Sequence, residues 1–402
     1  MLRLKDTRHD STLAFLDAAI RIAGYYGFSP LDAAPARSPQ ELRDIRGRAA
    51  KNESEIRYAR REERLLATSA RKCATRARGT ESLLVWRISD AGREKDGASS
   101  VALELHIVGN ASAIAEALLL VVADAIVRDA GITERILHIN SIGSPESSNR
   151  YVRDVGSYLR KHLESISTSL RPRTAIDPVG TLVALIERGH PAIARAPQAT
   201  EYLTEDERKR FWDVLEYLEV AGLPYELSPH VLGSRDCWQH SLFQLSSIDR
   251  ESGVREPVAF GGRYDPLASR FAAAALPAAM ISIACETNGT TRPEQVPTSI
   301  APIYFAHLGI EARRRSLPIL EQLRGSGIAV YQGLTHERLG DQMAIAHKLA
   351  MPYILIMGHK EAVEGTVLVR EVATNSQEPV ALPDLPGYLK RHRMCEPRLA
   401  IA

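Results

Sequence analysis

The chain has 402 residues, 45% hydrophobic and 25% charged. That length and composition suit two domains with sizeable cores and exclude both a small disulfide scaffold and a largely disordered chain. The four cysteines (Cys73, Cys237, Cys285, Cys395) are far apart, with no C-x-x-C spacing to hold zinc, so a reduced, cytoplasmic protein without a metal site is expected. The start, MLRLKDTRHD, is charged and has no apolar core, and the most apolar stretches, 117–123 and 272–285, are shorter than a bilayer span, so no membrane segment is expected.

The net charge of +2 conceals an asymmetry. Arg43 to Arg78 carries twelve Lys/Arg against five Asp/Glu, and the rest of the chain is correspondingly acidic. Clustered cations are the footprint of a polyanion contact, whereas acids and bases interspersed at helical spacing also suit a solvated helix.

Along the chain, Leu13, Leu16, Ile20 and Ala23 predict an amphipathic helix over 12–26, with Gly27 at its stop. Strand formers at 83–88 and 101–108 flank DAGREKDGASS, a hairpin with a long charged loop. A strongly apolar helix is predicted at 111–129, a short strand at 135–139, helices at 147–166 and 206–221, and a strand at 237–247. In EPVAFGGRYDPL two glycines stand between a strand and a helix, where backbone approaches something closely. The segment TNGTTRPEQVPTSIAP, 287–302, reads as an interdomain linker. Beyond it, strands at 303–306, 329–332, 353–357 and 366–371 alternate with helices at 312–325 and 338–349, which predicts a compact α/β domain with parallel pairing.

FGGRYDPL followed by LPAAMISIACE resembles the end of the catalytic domain of histidyl-tRNA synthetase, a class II aminoacyl-tRNA synthetase. TRHD, RARGT (76–80), ELHIVG (104–109), INSIGSPE (139–146), PYELSP (224–229) and GTVLVRE (366–371) fall in the family's order. The resemblance spans nearly the whole chain. It implies an α/β fold with an α+β core: a class II antiparallel-sheet domain over 1–290 with a helical insertion near 170–225, and a small anticodon-binding-like α/β domain over 303–395. It further implies a homodimer, tRNA as partner, and ATP with magnesium as cofactor.

Histidine activation needs a carboxylate for the substrate ammonium, polar groups for the imidazole and arginines for the ATP phosphates. By resemblance, this sequence keeps the frame and changes most of those groups. The family's R-P-E-G-T matches Arg76-Ala77-Arg78-Gly79-Thr80, with cationic Arg78 in the carboxylate position. F-H-Q-x-G-x-E places Ile107 and Ala111 where Gln and Glu are expected. R-G-L-D-Y-Y matches Gly233-Ser234-Arg235-Asp236-Cys237-Trp238, so the catalytic arginine position is Gly233. Motif 3, G-L-E-R, ends here on Thr287. Arg93, in Gly92-Arg93-Glu94-Lys95, matches the motif 2 arginine, and Gly261, Gly262, Arg263, Tyr264 and Asp265 keep the family's motif. Two rescues are conceivable: Arg235, two residues along a strand from Gly233 and so on the same side, and Arg292.

The expectation is therefore a family member that has lost histidine activation, with no catalytic residue and a vestigial ligand pocket around Arg76, Arg78, Arg93, Arg235, Gly261, Gly262, Arg263 and Tyr264. It would act as a binding or regulatory paralogue for tRNA or a protein. The alternatives are an active histidine–tRNA ligase or an ATP-dependent ligase for a changed substrate, and a protein like the regulatory subunit of ATP phosphoribosyltransferase. That subunit ordinarily lacks the C-terminal domain present here. His106, His138, His230, His240 and His307 read as core-edge or surface residues and Trp86, Trp212 and Trp238 as core. Arg338 and Lys348 are candidate RNA phosphate contacts.

Overall fold

The structure is a computed structural model that describes residues 1–33, 56–77, 82–93, 99–248, 253–272, 274–288 and 301–395. Most of the expected linker, much of the basic segment, and Arg78 and Arg292 lie outside the described residues. The chain divides into two compact units: residues 1–15, 29–215 and 224–291 form the first, and 16–28, 216–223 and 292–402 the second. The second unit thus takes in two segments from the N-terminal part of the sequence as well as the C-terminal stretch.

The first unit is built on eight strands: β1 (Ser29–Pro30), β2 (Leu83–Arg93), β3 (Ser99–Val108), β4 (Arg135–Ser141), β5 (Tyr225–Leu227), β6 (Gln239–Ile248), β7 (Arg255–Arg263) and β8 (Ala278–Glu286). Their order is β1-β2-β3-β8-β7-β6-β4-β5. Pairing is antiparallel from β2 across to β4, and only the short edge strands β1 and β5 join in parallel. The glycines of FGGRYD lie inside β7, not between a strand and a helix as expected, because the strand runs on to Arg263 before helix Asp265–Phe271 begins.

Strand β3 is buried at every residue after Ser99. Alternation puts Ala102, Glu104 and His106 on one face and Leu103, Leu105 and Ile107 on the other. Helix Ile114–Asp129, buried along nearly its whole length, packs on β3, β7 and β8, which is why its sequence is apolar all round. Helix Arg61–Arg76 buries Leu66, Ala67, Ala70, Cys73 and Ala74 and exposes Arg61, Glu62, Arg64 and Lys72, a one-sided pattern. Its Ser69 hydroxyl donates to Glu104, so this helix covers the polar face of β3.

Between β4 and β5 the chain is mainly helical: Pro145–Lys161, Arg171–Ile176, Pro178–Glu187 and Glu205–Val220. Glu207 ties this region to the turn after β4. Its carboxylate accepts from the Ser144 N–H at 2.6 Å, the Ser147 hydroxyl at 2.7 Å and the Thr204 N–H at 2.8 Å.

The second unit carries β9 (Ile303–His307), β10 (Val330–Gln332), β11 (Tyr353–Met357), β12 (Thr366–Glu371) and β13 (Gln377–Ala381), ordered β10-β9-β11-β12-β13. The expected parallel pairing holds for β10, β9 and β11, whose connections are the crossover helices Ile310–Gly325 and Leu339–Lys348; β12 and β13 pair antiparallel. The reversal before β12 is made by the short helix His359–Glu364 and Gly365 in the left-handed conformation (φ 68°), a connection too short for a parallel return. Within the same unit the Tyr26 hydroxyl donates to Glu321 at 2.5 Å and the Gln332 amide to the Tyr26 carbonyl at 2.8 Å. Among the described residues no helix is long and apolar enough to cross a membrane.

Burial raises the Glu207 carboxyl, but donors on Ser144, Ser147 and Thr204 outweigh it and bring the pKa down to about 2 from an ordinary 4.5. A carboxylate whose pKa is lowered by folding stabilises the fold above its unfolded pKa and loses that contribution as pH falls toward the folded one. Urea unfolding of the wild type is therefore expected to lose stability from about pH 4.5 toward pH 2, and Glu207→Gln is expected to show a shallower acid dependence and lower stability at pH 7. Parallel curves for the two proteins would refute this.

Candidate active-site remnant

Between helix Arg61–Arg76 and the polar face of the sheet lies a cavity of about 60 Å³, walled by Leu65, Trp238, Phe260 and Met280 and reached by Glu104 and Ser282. The Arg61 guanidinium donates to the Ala91 carbonyl, joining the helix to β2 at the rim. Gly92, at φ 79°, accommodates that guanidinium: an added Cβ would sit 1.8 Å from the Arg61 Nη2.

Gly233, the position matched to the family's catalytic arginine, has no room for any side chain. A Cβ there would lie 2.5 Å from the Trp238 ring and 2.7 Å from Glu63 Oε1. The Glu63 carboxylate is wholly buried and accepts from the Ser234 N–H at 2.7 Å, the Trp238 indole N–H at 3.0 Å, the Ala59 N–H at 2.5 Å and the Arg60 N–H at 3.1 Å. Burial raises its pKa, and those four donors only partly offset the shift. It both caps the helix and anchors the segment that carries Gly233 and Trp238.

Glu104 centres a second buried network. It accepts from the Ser89 hydroxyl at 2.5 Å, from Ser69, and from His106 Nε2 at 3.3 Å; His106 Nδ1 meets the Tyr264 hydroxyl at 3.0 Å. The Arg87 guanidinium reaches Ser69 at 2.6 Å and stands 3.8 Å from Glu104. Burial pushes the Glu104 carboxyl up, but the hydrogen bond and charge of His106 and the two serine hydroxyls pull it below its ordinary value, so it is ionised at neutral pH.

The GGRYD segment is structural in its visible contacts. Arg263 is 1% exposed and pairs with Glu116 at 3.0 Å, Asp265 at 3.2 Å and the Asn110 carbonyl at 2.9 Å, which commits its guanidinium away from any ligand. Gly261 is required by close approach: a Cβ would meet the Met280 carbonyl at 2.2 Å. Gly262 packs as tightly against the Ser241 carbonyl. Tyr264 is buried and held by His106.

The other expected pocket residues do not converge. Arg235 stands in a turn, not a strand, and is exposed with its guanidinium on Asn149, so the same-side argument for a rescue fails. Arg76 is in the last turn of its helix. Arg78 and Arg292 lie outside the described residues, as does the side chain of Arg93, whose backbone ends β2 opposite Ser99. Ile107 is fully buried on the face opposite Glu104; Ala111 is exposed and offers its carbonyl to Arg210 at 2.6 Å. The Thr287 hydroxyl is buried without a hydrogen-bond partner.

Three expectations are corrected. His106 and His307 are wholly buried, not core-edge or surface residues, because both lie on central strands; Trp212 is 58% exposed on helix Glu205–Val220, not core. Arg338 and Lys348 are exposed. Among the described residues no cluster of His, Cys, Asp or Glu could hold a metal ion. Glu63, Glu104 and Arg61 escaped the sequence reading. An acid inside the apolar run VALELHIV was a usable signal for Glu104, since unpaired carboxylates are almost never buried.

Residues 304–392 match the family described as "Anticodon binding domain". The chain is 27% identical over 293 residues to histidine–tRNA ligase 1 of Shouchella clausii, covering 71% of this chain and 68% of the relative. It is likewise 27% identical over 288 residues to the histidine–tRNA ligase of Rhodospirillum rubrum, covering 71% and 69%. The solved structure of apo S. aureus histidyl-tRNA synthetase covers 94% of each chain at 17% identity and a TM-score of 0.47. Over about 71% of its length the chain is thus similar to histidine–tRNA ligases, and its C-terminal part matches the anticodon-binding domain family.

Proposed function

We propose that this chain is a histidyl-tRNA synthetase family member that does not activate histidine and serves as a noncatalytic, dimeric paralogue that binds tRNA. In this reading residues 1–290 are the former catalytic domain and 303–395 the RNA-binding domain. The observation that carries it is Gly233: the space for the family's catalytic arginine is taken by Trp238 and Glu63.

Other features support the same reading. Nucleotide-sized ligands occupy pockets of about 300–1,000 Å³, and the cavity here is about 60 Å³. ATP with magnesium does not fit the described residues: Thr287 offers no charge where the family has an arginine, and the Arg263 guanidinium is consumed by Glu116 and Asp265. Removing even one preorganised charge contact typically costs about a hundredfold in rate or more. The match of residues 304–392 to an anticodon-binding domain supports RNA as the partner.

Histidine-dependent ATP–pyrophosphate exchange is expected to stay at background, and exchange at a synthetase-like rate would overturn the proposal. Restoring the family residue with Gly233→Arg is expected to leave exchange at background and to destabilise the protein by about 1–3 kcal/mol through overpacking, read by urea unfolding. For RNA binding, a gel shift with tRNA is expected at low salt, weakening linearly on a log–log plot with a slope of roughly −0.7 to −0.9 per phosphate contact. No shift at low salt would remove tRNA as the partner.

A further inference from the structure

Glu104 has no role in the chemistry that the family resemblance assigns, yet it is an ionised carboxylate, 3% exposed, on the wall of a cavity. An ionised carboxylate offers about four acceptor positions. Ser69 and His106 occupy two on Oε2 and Ser89 one on Oε1, which leaves one on Oε1. Arg61, held on the Ala91 carbonyl, and Glu62 also line it, with opposite charges, and the rest of the lining is largely apolar. Leu65, Met280, Trp238 and Phe260 form the walls, the two aromatic rings meeting edge to face at 5.5 Å. The only donor of the indole is committed to Glu63, so Trp238 presents ring carbon and π surface. Ser282 is a further polar group of the lining.

Glu104 and Glu62 against Arg61 leave the lining one net negative charge, which disfavours an anion, and a neutral polar molecule would leave most of its groups without partners against hydrocarbon. A cation with an alkyl body satisfies both parts: charge on the carboxylate, carbon on the aromatic and aliphatic walls, where cations gain further from ring quadrupoles. Size narrows the class. At about 10–15 Å³ per water-sized group, 60 Å³ admits roughly four to six non-hydrogen atoms.

We propose that this cavity binds a short alkylammonium ion, a primary amine of three or four carbons, with its nitrogen on Glu104 and its chain against Trp238, Phe260 and Met280. The site rests on the noncatalytic reading of the protein, because a pocket serving an adenylate would have to open past this volume. Its ammonium lies on β3, on a different segment from residues 76–80, where the family holds its substrate's amino group.

Calorimetric titration and thermal unfolding of the full chain with n-butylammonium, n-butanol and butyrate test it. The ammonium is expected to bind saturably at millimolar concentration and raise the melting temperature, with butanol about tenfold weaker or more, as for loss of a hydrogen bond to a charged group, and butyrate without effect. Glu104→Gln is expected to abolish the preference for ammonium over butanol. Ala284→Leu, at a lining position opposite Ala102 in the β3–β8 register and not opposite Glu104, is expected to fill the cavity and abolish binding of both, and this keeps the test decisive if Glu104→Gln fails to fold. No saturable binding of the ammonium, equal binding of butanol, or binding that survives Ala284→Leu would overturn the site. The outcome is independent of pyrophosphate exchange: exchange with retained ammonium binding defeats only the noncatalytic reading, and absent exchange with no ammonium binding defeats only the site.

Discussion

One buried carboxylate holds the candidate site in its shape. Glu63 is taken out of water at a cost that only dense hydrogen bonding repays, and four N–H groups from two separate parts of the chain supply it. Two of those donors begin helix Arg61–Arg76, and the other two belong to Ser234 and Trp238. The contact therefore does three things together. It caps the helix, fixes the segment 232–238 against it, and swings the indole into the volume beside Gly233. Any side chain at Gly233 would have to displace this arrangement, so the helix cap and the missing arginine are one structural fact.

The second constraint is how the sheet manages charge. Buried Arg263 pairs with Glu116, Asp265 and the Asn110 carbonyl, and Glu116 also holds Arg210. Buried pairs of this kind stabilise little against apolar alternatives, but breaking one strands the other charge at a cost of about 3–5 kcal/mol. The GGRYD segment thus contributes packing and charge balance. Glu104 is handled differently. Its hydroxyl and imidazole donors keep it ionised while leaving one acceptor position.

Much of the fold was legible from sequence. The apolar run of helix Ile114–Asp129, the β2–β3 hairpin and the strand–helix alternation after residue 303 follow from local periodicity, which depends only on which residues face a core. Antiparallel β12 and β13 were not legible, because pairing direction depends on how the chain returns, and that is set by the short helix His359–Glu364 and the left-handed Gly365. Arg235 was assigned to the wrong geometry for a related reason: residues two apart share a side only in a strand, and 235–237 form a turn held by Glu63 through Ser234 and Trp238. Trp212 and His307 were misplaced because burial of a single large residue depends on what other elements pack on it.

By itself the sequence determined the resemblance, the order of its motifs, and the absence of charged or polar groups at Gly233, Ile107 and Ala111 and of a charge at Thr287, since residue identity alone decides which groups can ionise or hydrogen-bond. Only the tertiary structure decided that the space beside Gly233 is taken by Trp238 and Glu63, that Arg235 stands in a turn against Asn149, that Arg263 pairs with Glu116, and that Glu104 lines a small cavity. Those outcomes depend on contacts between residues more than a hundred positions apart, such as Glu63 with Trp238 and Glu116 with Arg263, whose energies come from desolvation and exclusion in three dimensions. The near-neutral net charge of +2 says nothing of this, because charges that cancel in the sum are sorted in space into buried pairs, a buried carboxylate on a cavity wall and an exposed helical face.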